Sequence, residues 1–171
     1  MRPGDYRRFI CEKKSLTRSR PILPVYTLCL YRFRLLLRKG HNARMDSPRR
    51  VLVVEDFEDL RKLVAYYLDA CGYQVLEAAN GRAAIQAALS GNPSIILLDL
   101  RLPDLNGSEV ARELRKLPQT ENIPIIGWSA DVGLSPQRKM LRQAGIVDYL
   151  DKPTSLKELL AAIDRSLFKE R

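Results

Sequence analysis

Three acids, one hydroxyl and one lysine follow short apolar runs in this chain. Glu55 and Asp56 come after Val51–Val54, and Asp99 comes after Ile95–Leu98. Ser129 comes after the run around Ile125 and Ile126, and Lys152 after Ile146–Leu150. Carboxylates held close together cannot all discharge one another, so they favour a divalent cation. Mg2+ suits them, because it takes oxygen ligands and keeps several of its waters. A carboxylate beside Mg2+ can attack a phosphoryl group and form an aspartyl phosphate. The new phosphoryl oxygens then need a metal, an ammonium and a hydroxyl donor as partners. Singly, each residue has a plainer reading: an acid at a strand end caps a helix, Lys152 is a solvated charge, and Ser129 belongs to a turn. Their joint placement on four strands is what points to chemistry. No glycine-rich phosphate cradle of the P-loop kind is present.

The runs that carry these residues are Val51–Val54, Gln74–Leu76, Ile95–Leu98, Ile125–Ile126 with their neighbours, and Ile146–Leu150. Such runs, with no polar alternation, suit strands covered on both faces, as in a parallel sheet. The segments between them have helical period. Leu60, Leu63, Val64, Tyr67, Leu68 and Cys71 share one helix face, with Glu58 and Asp59 at its start and Gly72 to stop it. Asn80 can cap a second helix that ends near Gly91, and Val110, Leu114 and Leu117 mark a third. Ser135 and Pro136 supply an N-cap and first-turn proline for a fourth. Leu156, Leu159, Leu160, Ile163 and Leu167 face the core from a fifth, opened by the capping box Ser155-x-x-Glu158. Five βα units predict an α/β fold with a doubly wound, five-stranded parallel sheet and helices on both faces. Sites in such sheets lie beyond the carboxyl ends of the strands, where the five polar residues stand.

A length of 171 residues allows one ordinary domain and a tail. With 46% apolar and 29% charged residues, wholesale disorder is excluded. The net charge of +9 is unevenly placed: residues 1–50 carry +11 and residues 51–171 carry −2. The basic pI therefore describes a leader attached to a slightly acidic domain, not a basic fold. Residues 1–47 are expected to be a disordered basic leader, and residues 48–171 the domain. Three readings of the leader stand: upstream codons before a true start at Met45, a basic arm that touches nucleic acid or anionic lipid, or a transit peptide. The first is preferred, since Met45 opens "MDSPRRVLVV" just before the first strand. The most apolar stretch, Ile22–Tyr31, is too short to span a membrane, contains Pro24, and is followed by no cleavage-site residues. The cysteines, Cys11, Cys29 and Cys71, form no CxxC pair, which favours a reducing, cytoplasmic setting. His41 is the single histidine, so histidine-based metal sites and Ser-His-Asp catalysis are nearly excluded.

The motifs "VLVVEDFEDLR", "IILLDLRLPDLNG", "IPIIGWSA" and "VDYLDKP", in this order and spacing, resemble the receiver domain of two-component response regulators over residues 49 to about 169. The resemblance implies the (βα)5 flavodoxin-like fold of a chemotaxis-regulator-like receiver. It makes Asp99 the phospho-acceptor. Glu55 and Asp56 become the acidic pair that holds Mg2+, Asp56 the more direct ligand, with the backbone carbonyl of Arg101 a further ligand. Ser129 matches the switch hydroxyl, Lys152 the phosphate-pairing lysine and Tyr149 the aromatic switch. Pro153 is expected after a cis peptide bond. Tyr149 can also be read as a half-buried strand aromatic, and Trp128 is expected to be ordinary strand packing.

Nineteen residues follow Lys152, enough for one helix but not for an output module. A stand-alone receiver is therefore expected, one that is not an enzyme towards external substrates. Its phosphate would come from a sensor histidine kinase or a histidine phosphotransfer protein. The signal would pass to a protein effector through the fourth helix, fifth strand and fifth helix, with neither a membrane nor specific nucleic acid as partner. Two alternatives remain: a small aspartyl-phosphate phosphohydrolase, or a nucleic-acid-associated protein acting through the leader. A charged gate of Arg101 and Asp131 over the phosphoryl site is a further expectation.

Overall fold

Val51, Leu52, Val53 and Val54 are wholly buried, as are Ile95, Ile96, Leu97 and Leu98. Two neighbouring strands with no solvent-facing side chain need cover on both faces, and the rest of the fold supplies it. The computed structural model of the chain describes residues 49–130 and 135–168, with the side chains of residues 135–137 left aside. The expectations for residues 1–47, for Ser135 as a side-chain cap, and for Asp131 lie outside the described residues. Strands β1 (Arg50–Val54), β2 (Gln74–Ala78), β3 (Ile95–Asp99), β4 (Ile125–Ser129) and β5 (Asp148–Asp151) alternate with helices α1 (Glu58–Ala70), α2 (Gly81–Gly91), α3 (Gly107–Arg115), α4 (Ser135–Gln143) and α5 (Leu156–Phe168). The strands form one parallel sheet in the order β2-β1-β3-β4-β5. The chain reverses its winding direction between β1 and β3, which opens a crevice past their carboxyl ends.

Alternation along the strands sorts the core into two layers. Val51, Val53, Ile95, Leu97, Ile126 and Trp128 pack under α1 and α5, against Val64, Leu68, Leu159, Leu160 and Ile163. Leu52, Val54, Ile96, Leu98 and Ile125 pack under α2, α3 and α4, against Ala84, Ala88, Val110, Leu114 and Leu141. Burying each such Leu or Ile contributes about 1.5–3 kcal/mol, so the two layers dominate the fold's stability.

Local signals place the helix ends. The α1 helix stops at Gly72, whose φ of +95° a side chain would resist, and Tyr73 N–H donates back to the Leu68 carbonyl at 3.1 Å. Asn80 caps α2 by accepting from Ala83 N–H at 2.8 Å. In the box that opens α5, Ser155 N–H donates to Glu158 Oε2 and Glu158 N–H to Ser155 Oγ.

Two details differ from the sequence reading. Leu63 is 52% exposed and off the buried face of α1, which centres on Val64, Ala65 and Leu68. The fifth strand begins at Asp148: Ile146 is buried ahead of it and Val147 is exposed. Among the described residues no helix is long and apolar enough to cross a membrane.

Candidate functional site

Side chains two positions apart on a strand share a face, and this rule continues past the strand ends into the site. Val51 and Val53 lead to Glu55, Ile95 and Leu97 to Asp99, and Leu150 to Lys152. These three polar residues meet. Lys152 Nζ lies 2.5 Å from Glu55 Oε2 and 2.6 Å from Asp99 Oδ2. The residues come from three separate strand ends, and the sheet's register places them together: Asp99 is the register partner of Trp128 on β4, and Trp128 that of Leu150 on β5.

The cluster is shielded from water. Glu55 is 2% exposed, Asp99 6% and the Lys152 side chain 18%. Burial pushes the Glu55 carboxyl above its ordinary value, although the Lys152 ammonium pulls the other way. Asp56 is exposed, and one oxygen from each of Glu55, Asp56 and Asp99 lies within 4.8 Å of the others. Three carboxylates against one ammonium leave an excess of negative charge. An all-oxygen donor set suits Mg2+, Ca2+ or Mn2+. Asp56 gives the set an open side, where the waters that Mg2+ retains have room. The residues present therefore fit a hard divalent cation.

The loop from β3 to α3 fixes Asp99 from its other side. Arg101 N–H donates to Asp99 Oδ1 at 2.9 Å, so one oxygen faces a backbone amide and the other the ammonium. The turn is closed by the Arg101–Asn106 bridge and by Gly107 N–H donating to the Leu100 carbonyl at 3.0 Å. Asn106 then caps α3 in a reciprocal box with Glu109. The Arg101 backbone thus stands beside Asp99. Its proposed gate partner, Asp131, lies outside the described residues.

Ser129 has the opposite parity. It is 2% exposed and helps to line a cavity of about 270 Å3 on the α3–α4 side, with Leu100, Arg101, Asn106, Ser108, Met140 and Leu141. Tyr149 is half-buried against the layer on that same side, with the Arg138 guanidinium 4.4 Å from its ring centroid. The predicted residues therefore divide. Glu55, Asp56, Asp99 and Lys152 form one cluster beside the Arg101 backbone, whereas Ser129 and Tyr149 stand on the other side of the sheet. The two sets are joined by Lys152 N–H, which donates to the Ser129 carbonyl at 2.9 Å. The peptide between Lys152 and Pro153 is cis, as the resemblance implies.

Sequence reasoning missed two residues at this rim. Asp104 accepts from Gly81 N–H at 2.7 Å and from Arg82 N–H at 2.9 Å, pinning the β3–α3 loop to the start of α2. The signal available was an acid in the loop after Asp99, which names no partner. Trp128 is core, as expected, but its ring also lies beneath the Lys152 ammonium, 4.4 Å from Nζ to the centroid.

Known proteins similar to this chain in sequence and fold are numerous. The family model for the response regulator receiver domain matches residues 51–164. The chain is 32% identical over 116 residues to the polar-differentiation response regulator DivK of Brucella anthropi, covering 68% of this chain and 94% of that protein. It is 36% identical over 115 residues to the phosphate regulon transcriptional regulatory protein PhoB of Pseudomonas aeruginosa, covering 67% of this chain but only 50% of that protein. Among solved structures, the Vibrio cholerae chemotaxis protein CheY4 superposes with a TM-score of 0.68 at 27% identity, covering 71% of this chain and all of that one. The receiver domain of the sensor histidine kinase PA1611 from Pseudomonas aeruginosa superposes with a TM-score of 0.64 at 33% identity, over 71% of this chain and 98% of that one. Its structure holds a magnesium ion coordinated in the active site cleft. Strand order, the acid cluster at the sheet's rim and these similarities converge, and the chain belongs to the response regulator receiver domain family.

Proposed function

We propose that this protein accepts a phosphoryl group on Asp99 from a histidine kinase or histidine phosphotransfer protein and signals by a change of shape to a protein partner. The observation that carries this reading is the setting of Asp99. It is buried at the end of β3, its two oxygens are held by the Arg101 amide and the Lys152 ammonium, and two further acids lie alongside. Glu55, Asp56 and Asp99, with the Arg101 carbonyl, are the groups that would hold Mg2+. When bound, the ion supplies positive charge that offsets the phosphoryl oxygens.

An Asp99 carboxylate oxygen attacks phosphorus. The bond from phosphorus to the donor's imidazole nitrogen breaks, and its electron pair stays on the imidazole. Lys152, already 2.6 Å from Asp99 Oδ2, pairs with the incoming phosphoryl oxygens. Ser129 donates its hydroxyl to the phosphoryl group from the α3–α4 side, and Tyr149 follows inward beside α4. Phosphorylation adds nearly two negative charges, enough to bias a two-state element of this size. The face formed by α4, β5 and α5 is then the surface whose partner preference changes. The chemistry ends at gain and loss of this phosphate, which makes the domain a signalling element and not an enzyme towards external substrates.

The test is incubation of the chain with acetyl phosphate and Mg2+, read by intact mass. A gain of one phosphoryl group is expected, absent with EDTA and absent in Asp99→Asn. Labelling that persists in Asp99→Asn refutes the assignment.

A further inference from the structure

The Lys152 ammonium has three neighbours: Glu55 Oε2, Asp99 Oδ2 and the face of Trp128. Trp128 is the only tryptophan in the chain and is 2% exposed. Its Nε1–H is buried with no hydrogen-bond partner among the described residues. A buried unpaired donor is a cost that a leucine or phenylalanine in the same layer would not carry. Packing alone therefore does not explain an indole here. What the indole adds is the most electron-rich ring face among the side chains, and a cation lies over it.

The contact matters because of what happens to the other two neighbours. A divalent cation at the acid cluster draws on the negative charge of Glu55 and Asp99 and repels a nearby ammonium. The lysine stem is long and freely rotating, so an ammonium losing its partners has many other places to go. The indole face is a partner that the metal does not compete for. It comes from the β4 position in register with Asp99, so it holds the ammonium close to the reacting carboxylate.

We propose that Trp128 is a positioning residue for phosphoryl transfer: its ring face keeps the Lys152 ammonium at the acceptor when the metal occupies the acids. This rests on Asp99 being the phospho-acceptor. A second consequence is optical. As the sole tryptophan, Trp128 reports the position of Lys152 in the emission of the whole protein.

The experiment compares the full chain with Trp128→Phe, which keeps a ring face, and Trp128→Leu, which does not. The rate of phosphate gain from acetyl phosphate at saturating Mg2+ is measured by mass. The Phe variant should stay within about twofold of the parent. The Leu variant should be slower by about three- to tenfold, the range that a cation–π contact of this kind supports. In a Lys152→Met background the difference between Phe and Leu should vanish, a coupling that a merely structural role would not produce. Lys152→Met alone, with Trp128 in place, should also change the indole emission, which needs no variant at Trp128 to fold. Equal rates for Leu and parent, equal slowing of Phe and Leu, a difference that survives in Lys152→Met, or unaltered emission would each overturn the proposal. A parent chain that gains no phosphate at all overturns the acceptor assignment together with it. A parent that gains phosphate beside an unimpaired Leu variant overturns the role of Trp128 alone.

Discussion

Gly107 lies so close to Asp99 that a Cβ added there would come within 2.7 Å of the Asp99 carbonyl oxygen and 2.7 Å of Leu100 Cα. Both atoms are backbone, which cannot swing aside. Gly107→Ala should therefore destabilise the fold by about 1–3 kcal/mol, the range for forced overpacking. It should also displace Asp99 and slow phosphate gain. Urea unfolding and the mass assay check the two effects, and a variant as stable as the parent would show that the loop yields freely.

Asp56 is exposed whereas Glu55 and Asp99 are buried, so its contribution to metal binding can be separated from its contribution to folding. Asp56→Asn removes one anionic oxygen ligand from the cluster. Calorimetric titration should show Mg2+ affinity reduced about tenfold or more, on the scale of ligand-shell losses at metal sites. The melting temperature in EDTA should hardly change.

The Arg82 amide, with those of Gly81 and Leu105, holds the Asp104 carboxyl below its usual value of 3.8. The unfolded chain therefore takes up this proton first as the pH falls. The stabilisation from the ionised form is complete above 3.8 and disappears as the pH descends through the lower folded value. Asp104→Asn should flatten that part of the stability profile and lower the melting temperature modestly at neutral pH. Thermal melts from neutral to strongly acidic pH test this. A parent and variant that lose stability in parallel would remove Asp104 as the cause.

A chain beginning at Met45 should melt cooperatively within a few degrees of the full chain and accept phosphate at the same rate. The motive is the break in charge and periodicity that ends near residue 47. Circular dichroism and the mass assay give the answer, and a broadened transition would assign residues 1–44 a part in the fold.

The central strands could be read from sequence because their burial is total: Val51–Val54 and Ile95–Leu98 show no exposed position at all. The edge of the sheet was harder. Ile146 is as buried as a strand residue but lies ahead of β5, because a loop that crosses the core can bury a side chain without joining the ladder. Leu63 fits the helical spacing, yet spacing alone does not say where the shoulder of a buried stripe ends. Within the site, the acids and the lysine were visible because each stands within two residues of the end of an apolar run. The contact between Trp128 and Lys152, and the capping of α2 by an acid 22 to 23 residues away, were not visible. Both depend on the sheet's register and on a loop path that no local spacing encodes.

Alternation along β4 turns the sheet into a partition. Trp128 addresses the acids and the lysine, Ser129 the cavity beside α4, and a single peptide bond separates the two addresses. A change of length by one residue in this strand would do what no substitution can: it would transpose them, offering indole to α4 and hydroxyl to the lysine. Such a chain could keep its core hydrophobic and its acids intact while having its two walls crossed. Conversely, residues of the α4 wall other than Ser129 can change without touching the acids or the lysine.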